Sequence, residues 1–126
     1  MKGTRRADRR ALGRLGEELA AQYLAGQGFR VLARNVHLRH AELDLVALER
    51  GTLVFVEVRL RRGAAFGSGA ESVDLRKQRR IVAAASELLA RGALPRAARV
   101  RFDVVAIDAA RDPPAVLHVR DAFNAE

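Results

Sequence analysis

The chain has 126 residues, which suits one domain and leaves little room for a second. Hydrophobic residues make up 49%, enough for a core and against global disorder, and the lack of cysteine excludes disulfides, zinc–thiolate sites and cysteine nucleophiles. The formal net charge is +8, with 23 Lys and Arg against 15 Asp and Glu; a domain this basic attracts polyanions, unless the arginines only reflect a composition that uses Arg wherever a surface charge is wanted.

The first residues, MKGTRRADRRALGRLGEEL, contain no long uncharged apolar stretch. They read as neither a secretory signal nor a membrane span, so the expected location is the cytoplasm, which the missing cysteines fit. Residues 1–10, with Arg5, Arg6, Arg9 and Arg10, are expected to form a loose arm or a frayed first turn. A helix is predicted over 8–27, where Leu12, Leu15, Leu19 and Tyr23 recur at helical spacing, with Gly28 as its stop. A strand follows over 29–35. Two apolar runs, ELDLVALE (42–49) and TLVFVEVRL (52–60), flank Arg50-Gly51 and predict a hairpin.

Residues 61–72, RRGAAFGSGAES, read as a Gly-rich loop, a lid or a DNA-contacting segment; its glycines lack the spacing of a phosphate-binding loop. A second helix is predicted over 73–91 with Leu75, Val82, Ala85 and Leu89 on one stripe, closed by Gly92 and Pro95. Strands are predicted at 100–108 and, after Pro113-Pro114, at 115–120. The order helix, three strands, helix, two strands predicts an α/β fold: a mixed five-stranded sheet with helices packed on it. The crossover through the second helix sets strands 52–60 and 100–108 parallel.

The hairpin carries the chemistry. A two-residue turn at Arg50-Gly51 pairs Glu49 with Thr52, so the same register sets Asp44 opposite Glu57 and Glu42 opposite Arg59. Asp44 sits among Leu43, Leu45 and Val46, and Glu57 between Val56 and Val58, so both carboxylates are expected to be partly buried. Two like charges opposed there are destabilising unless neutralised. A bound Mg2+ or Mn2+ would do so, because hard cations take carboxylate oxygens. Alternatively one carboxylate is protonated, or arginines hold both.

Glu57-Val58-Arg59 in an apolar strand, with Asp44 upstream, resembles the PD-(D/E)xK nuclease superfamily. Nearly the whole chain resembles the YraN-like family of small bacterial endonuclease-related proteins: GRLGEELAAQYL (13–24), RN (34–35), AELDLV (41–46), LVFVEVRLR (53–61), Lys77 on a helix and RFDVVAI (101–107) carry the likeness. The resemblance implies a restriction-endonuclease-like core, similar to that of archaeal Holliday junction resolvases. It also implies a divalent metal surrounded by Glu17, Asp44 and Glu57. Two residues depart from the family pattern. Ala41 stands where Gly is usual, and Arg59 stands where the pattern has a lysine that orients or activates the attacking water. Arginine keeps the charge and essentially never loses its proton, so Arg59 cannot be a base; it can stabilise charge on a phosphate.

Other candidates have bland alternatives. Glu17 lies at the edge of the apolar face of its helix, a place for an inward carboxylate or for an ordinary boundary glutamate. Lys77 belongs to the basic run RKQRR (76–80), which is either a solvated face or a phosphate contact, with Lys77 a substitute for the missing strand lysine. His37, His40 and His118 lack metal-ligand spacing, and Asp103 in an apolar strand reads as structural, pairing with Arg101 or a helix arginine. With aromatics at only 5%, phosphates rather than stacked bases are the expected contact, through Arg76, Lys77, Arg79, Arg80, Arg9 and Arg10.

The function so expected is metal-assisted hydrolysis of DNA phosphodiesters, branched or damaged DNA included, with Glu17, Asp44, Glu57, Arg59 and Lys77 as the catalytic set. The alternatives are a nuclease fold that binds DNA without cutting, for which Arg59 is the main support, and a basic structural or RNA-associated protein without metal. DNA is the expected partner and a membrane is not; a homodimer is left open.

Overall fold

The computed structural model describes residues 2–63 and 72–125, and of residues 2–9 the backbone alone. Its elements follow in the order α1 (Lys2–Gly26), β1 (Arg30–His37), β2 (Glu42–Glu49), β3 (Thr52–Arg61), α2 (Leu75–Ala90), β4 (Arg99–Asp108) and β5 (Ala115–Phe123). The expected α/β class and the helix, three strands, helix, two strands order both hold. The strands lie side by side in chain order; β3 and β4 run parallel across α2, and the other neighbours are antiparallel.

The β2–β3 hairpin turns at Arg50-Gly51. Their φ values, 48° and 83°, are both positive, as a two-residue type I′ turn requires. The turn fixes the register from Glu49↔Thr52 to Leu45↔Val56. β3 is covered on both faces, which is why its sequence runs apolar almost without alternation. Val54 and Val56 pack under α1 with Ala20, Ala21 and Leu24. Leu53 and Phe55 pack under α2 with Ile81, Ala84 and Leu88. Each such large side chain, fully buried, contributes about 1.5–3 kcal/mol.

Several boundaries and faces differ from the sequence reading. The backbone of residues 2–10 continues α1 instead of forming an arm. Leu15 is exposed, and the buried arc of α1 is Gly16, Ala20, Ala21 and Leu24. On α2, Leu75 and Leu89 are exposed, while Ile81, Ala84, Ala85 and Leu88 face the sheet. Apolar residues occupy more than one arc of each helix, and only packing against the sheet selects the arc that is buried. Most of the Gly-rich loop, residues 64–71, lies outside the described residues.

Two local features position the site. Gly16 lets α1 settle on β3: a Cβ there would lie 3.1 Å from Cβ of Leu60 and 3.6 Å from Cγ1 of Val58. That brings Glu17 down toward the sheet. Asp74 caps α2, its Oδ1 accepting the Lys77 backbone N–H at 2.9 Å, which fixes where Lys77 leaves the helix. No helix among the described residues is long and apolar enough to cross a membrane.

Candidate metal centre

The β2–β3 ladder ends at Leu45↔Val56. One residue further, where Asp44 was expected to face Glu57 in regular pairing, the Asp44 carboxylate enters the gap and its Oδ2 accepts the backbone N–H of Val58 at 2.8 Å. The two carboxyls still meet. Burial pushes the Asp44 carboxyl up, the Glu57 charge adds to this, and so do a hydrogen bond with Glu57 and the charge of Glu17; the Val58 N–H works the other way, and the outcome is about 8. Burial and the neighbouring carboxylates thus favour the protonated form of Asp44 when no cation is present. This corresponds to the alternative in which one carboxylate of the pair carries a proton.

Glu17 from α1 and Glu42 from the start of β2 complete a cluster with Asp44, one carboxylate oxygen of each lying within 4.8 Å of the others. Beside it a gap of about 10 Å3, lined by Glu42, Asp44 and Glu57 and by the apolar Leu43, Phe55, Val56 and Ile81, has room for one water-sized particle. The three converging carboxylates offer the hard oxygen donors that Mg2+ or Mn2+ takes. The sequence sets Glu42 in one polar cluster with Asp44, Glu57 and Arg59 on one hairpin face, but does not single it out as a metal ligand. Its signal was available, because residues 42 and 44 share a strand face.

Glu57 is buried and is not one of the three converging carboxylates. Its Oε2 is held by the Lys77 ammonium, reaching over from the first turn of α2, with Nε of Arg59 3.8 Å away. The expected Glu42–Arg59 pair does not form. Regular pairing stops before it, so Arg59 turns to Glu57 on its own strand, and Glu42 lies 3.7 Å from His37, its neighbour across the β1–β2 ladder. His37 belongs to β1, which runs two residues past the strand end expected at residue 35. The buried Nε of Arg59 has no hydrogen-bond partner. An orphaned buried donor costs about 1–3 kcal/mol, which makes this N–H a ready partner for an anion's oxygen.

Of the other predicted contacts, Arg76, Arg79 and Arg80 are exposed on α2 and Arg10 is exposed on α1. The side chain of Arg9 lies outside the described residues.

A second polar network closes around Glu49, at the opposite end of β2 from the cluster. Asp103 is fully buried and, as expected, takes Arg101: Nε to Oδ1 at 2.8 Å and Nη2 to Oδ2 at 3.0 Å. The sequence reading missed His118, whose Nε2 lies 2.7 Å from Asp103 Oδ2 and whose Nδ1 lies 3.1 Å from the Tyr23 hydroxyl. Arg101 and Arg120 both reach Glu49, at 3.0 and 2.9 Å. Burial would raise the Asp103 carboxyl, but His118, Arg101 and the Asp121 N–H outweigh it and hold it near 2. Every member of the network has its partner, so it serves as a tie between α1, β4 and β5.

The model of the uncharacterised protein family UPF0102 matches residues 16–107, which include Glu17, the hairpin and Lys77. The chain is 52% identical over 114 residues to a UPF0102 protein of Rhodococcus jostii (strain RHA1), covering 90% of this chain and 96% of that one. It is 48% identical over 119 residues to one from Anaeromyxobacter dehalogenans (strain 2CP-C), covering 94% and 87%. With a UPF0102 protein of Pseudomonas paraeruginosa it shares 42% identity over 124 residues, covering 97% and 99%.

Proposed function

The chain belongs to the UPF0102 family, the YraN-like family its motifs resemble, and from its site we propose a metal-dependent nuclease-fold protein that binds DNA and hydrolyses its phosphodiester bonds. The observation that carries this reading is the convergence of Glu17, Glu42 and Asp44 within 4.8 Å, next to a buried Glu57 bracketed by Lys77 and Arg59. Carboxylates from two different elements are brought together against their mutual repulsion, an arrangement a divalent cation stabilises.

Glu17, Glu42 and Asp44 would hold the cation. When bound, it supplies charge and Lewis acidity that make water a nucleophile and neutralise a phosphate. The chain's own residues do the rest. Arg59 offers its unpartnered N–H and a permanent charge to a phosphate oxygen, without acting as a base. The exposed Arg76, Arg79 and Arg80 of α2 bind further phosphates along the backbone. The aromatic residues among those described do not offer stacking platforms: Phe29, Phe55, Phe102 and Phe123 are buried, and the Tyr23 hydroxyl is engaged by His118. Contacts to phosphates therefore dominate over contacts to bases.

One observation favours a second reading, a DNA-binding protein that does not cut. Arg59 holds the place of the strand lysine, and the site neutralises itself without a metal, Asp44 by a proton and Glu57 by Lys77. Incubation with branched and with linear DNA, in Mg2+, in Mn2+ and in chelator, separates the two. Cleavage that needs the cation and is lost in Asp44→Asn supports hydrolysis; salt-sensitive binding without cleavage in any condition supports the second reading.

A further inference from the structure

Lys77 occupies an unusual place for a cation. It sits in the first turn of α2, where the helix dipole disfavours positive charge and the Asp74 cap is the acidic residue at hand to offset it. Its backbone is fixed by the Asp74 cap, and its ammonium is drawn onto Oε2 of Glu57. Glu57 adjoins the carboxylate cluster through its contact with Asp44, yet its oxygens do not converge with those of Glu17 and Glu42. The Lys77 side chain is 40% exposed against 6% for Glu57. The glutamate cannot move far, whereas a four-carbon lysine stem can swing its head into solvent while its methylenes stay packed.

We infer that Lys77 is a built-in competitor for the cation: it holds Glu57 when the site is empty, and must release it before Glu57 can join Glu17, Glu42 and Asp44 as a ligand. This inference rests on the proposed metal site. Arg59, 3.8 Å from the same oxygen, stays beside Glu57 throughout, so the carboxylate is never left alone. The released ammonium stands next to the exposed Arg76 and Arg80 on the same helix. Cation loading is thereby coupled to the appearance of one more phosphate-binding charge at the site.

The test is calorimetric titration of Mn2+ into the full chain without DNA, comparing wild type with Lys77→Met, Lys77→Gln and Arg80→Met. The last removes the same charge from an exposed position on the same helix and so reports the long-range electrostatic contribution alone. Both Lys77 variants should bind Mn2+ at least about fivefold more tightly than wild type, roughly 1 kcal/mol of binding free energy, while Arg80→Met changes affinity less than about twofold. Mn2+ should also raise the thermal midpoint more in the Lys77 variants than in wild type. Unchanged or weaker Mn2+ binding in the Lys77 variants would overturn the inference while leaving the metal site standing, as would an equal gain in Arg80→Met. Absence of binding in every protein would overturn the metal site and the inference with it.

Discussion

Oδ2 of Asp44 takes the backbone N–H of Val58 at 2.8 Å, at the point where the pairing of β2 with β3 has ended. A side chain has replaced the next ladder bond, and in doing so it holds a carboxyl group in the crevice between the two strands. The geometry forces Asp44 against Glu57 and carries a cost that can be measured.

Asp44 ionises at 3.8 ordinarily and at about 8 in the folded chain, through burial first and then the Glu57 charge. Between those values the unfolded chain has shed a proton that the folded chain keeps, so rising pH favours unfolding and the penalty grows until the folded carboxyl ionises. Asp44→Asn removes the penalty and keeps an oxygen for the Val58 N–H. In chelator at pH 8 its thermal midpoint should exceed that of wild type by a few degrees, and the gain should vanish near pH 4. Mn2+ should raise the midpoint of wild type and leave Asp44→Asn unmoved. A midpoint for Asp44→Asn below wild type at pH 8 would contradict this.

Asp103 titrates in the opposite sense. Its folded value of about 2 lies below the ordinary 3.8, because hydrogen bonds from His118 and Arg101 outweigh burial. Its contribution is complete above about pH 4 and is lost as the pH falls through 2. The shift corresponds to about 1–2 kcal/mol, counting roughly 1.4 per pH unit and discounting for solvent screening. Asp103→Ala should cost more, about 3–5 kcal/mol, because it strands Arg101 and His118. Urea unfolding at pH 7 and pH 3 measures both effects; a variant as stable as wild type at pH 7 would remove the network from the account of stability.

DNA binding should depend on salt through the outer face of α2. Each phosphate contact contributes about 0.9 to the slope of log affinity against log salt concentration. Arg76→Glu, Arg79→Glu and Arg80→Glu should each weaken binding and flatten that slope, for duplexes of any sequence. Unaltered binding on reversal of all three would place the interface elsewhere.

Arg59 distinguishes cutting from binding. If its charge supports the phosphate, Arg59→Ala lowers the cleavage rate at least about tenfold, or roughly 1.4 kcal/mol of barrier, and Arg59→Lys keeps or raises it. Cleavage unchanged in Arg59→Ala would remove Arg59 from the mechanism. Cleavage absent in wild type and present in Arg59→Lys would show that the natural protein binds DNA without cutting.

Much of this arrangement was legible in the residues. Arg50-Gly51 fixed the hairpin, and counting outward from it reproduced the pairing as far as Leu45↔Val56. Regular pairing stops short of Asp44, although its carboxyl still meets Glu57, because a carboxylate can take a strand's N–H, a choice that periodicity does not record. The pairing of Glu42 with Arg59 fell with it. The α2 stripe was read about one residue off because Leu75, Val82 and Leu89 offer an apolar arc next to the buried one. Lys77, Ile81, Ala84 and Leu88 repeat at spacings of four, three and four, so orienting the helix by a Lys77–Glu57 contact selects the buried arc. Tyr23, Asp103 and His118 lie on three elements far apart in sequence, and their meeting follows only from the folded sheet.

In the proposed site Glu17, Glu42 and Asp44 surround one divalent cation, and Glu57 joins them once Lys77 releases it. Anomalous X-ray scattering from crystals grown with Mn2+ locates such an ion directly. One peak is expected at coordination distance from carboxylate oxygens of these residues, with the Lys77 ammonium drawn away from Glu57, and no such peak in Asp44→Asn. Crystals of the wild type in saturating Mn2+ that show no peak at these carboxylates, and Lys77 still on Glu57, would contradict it.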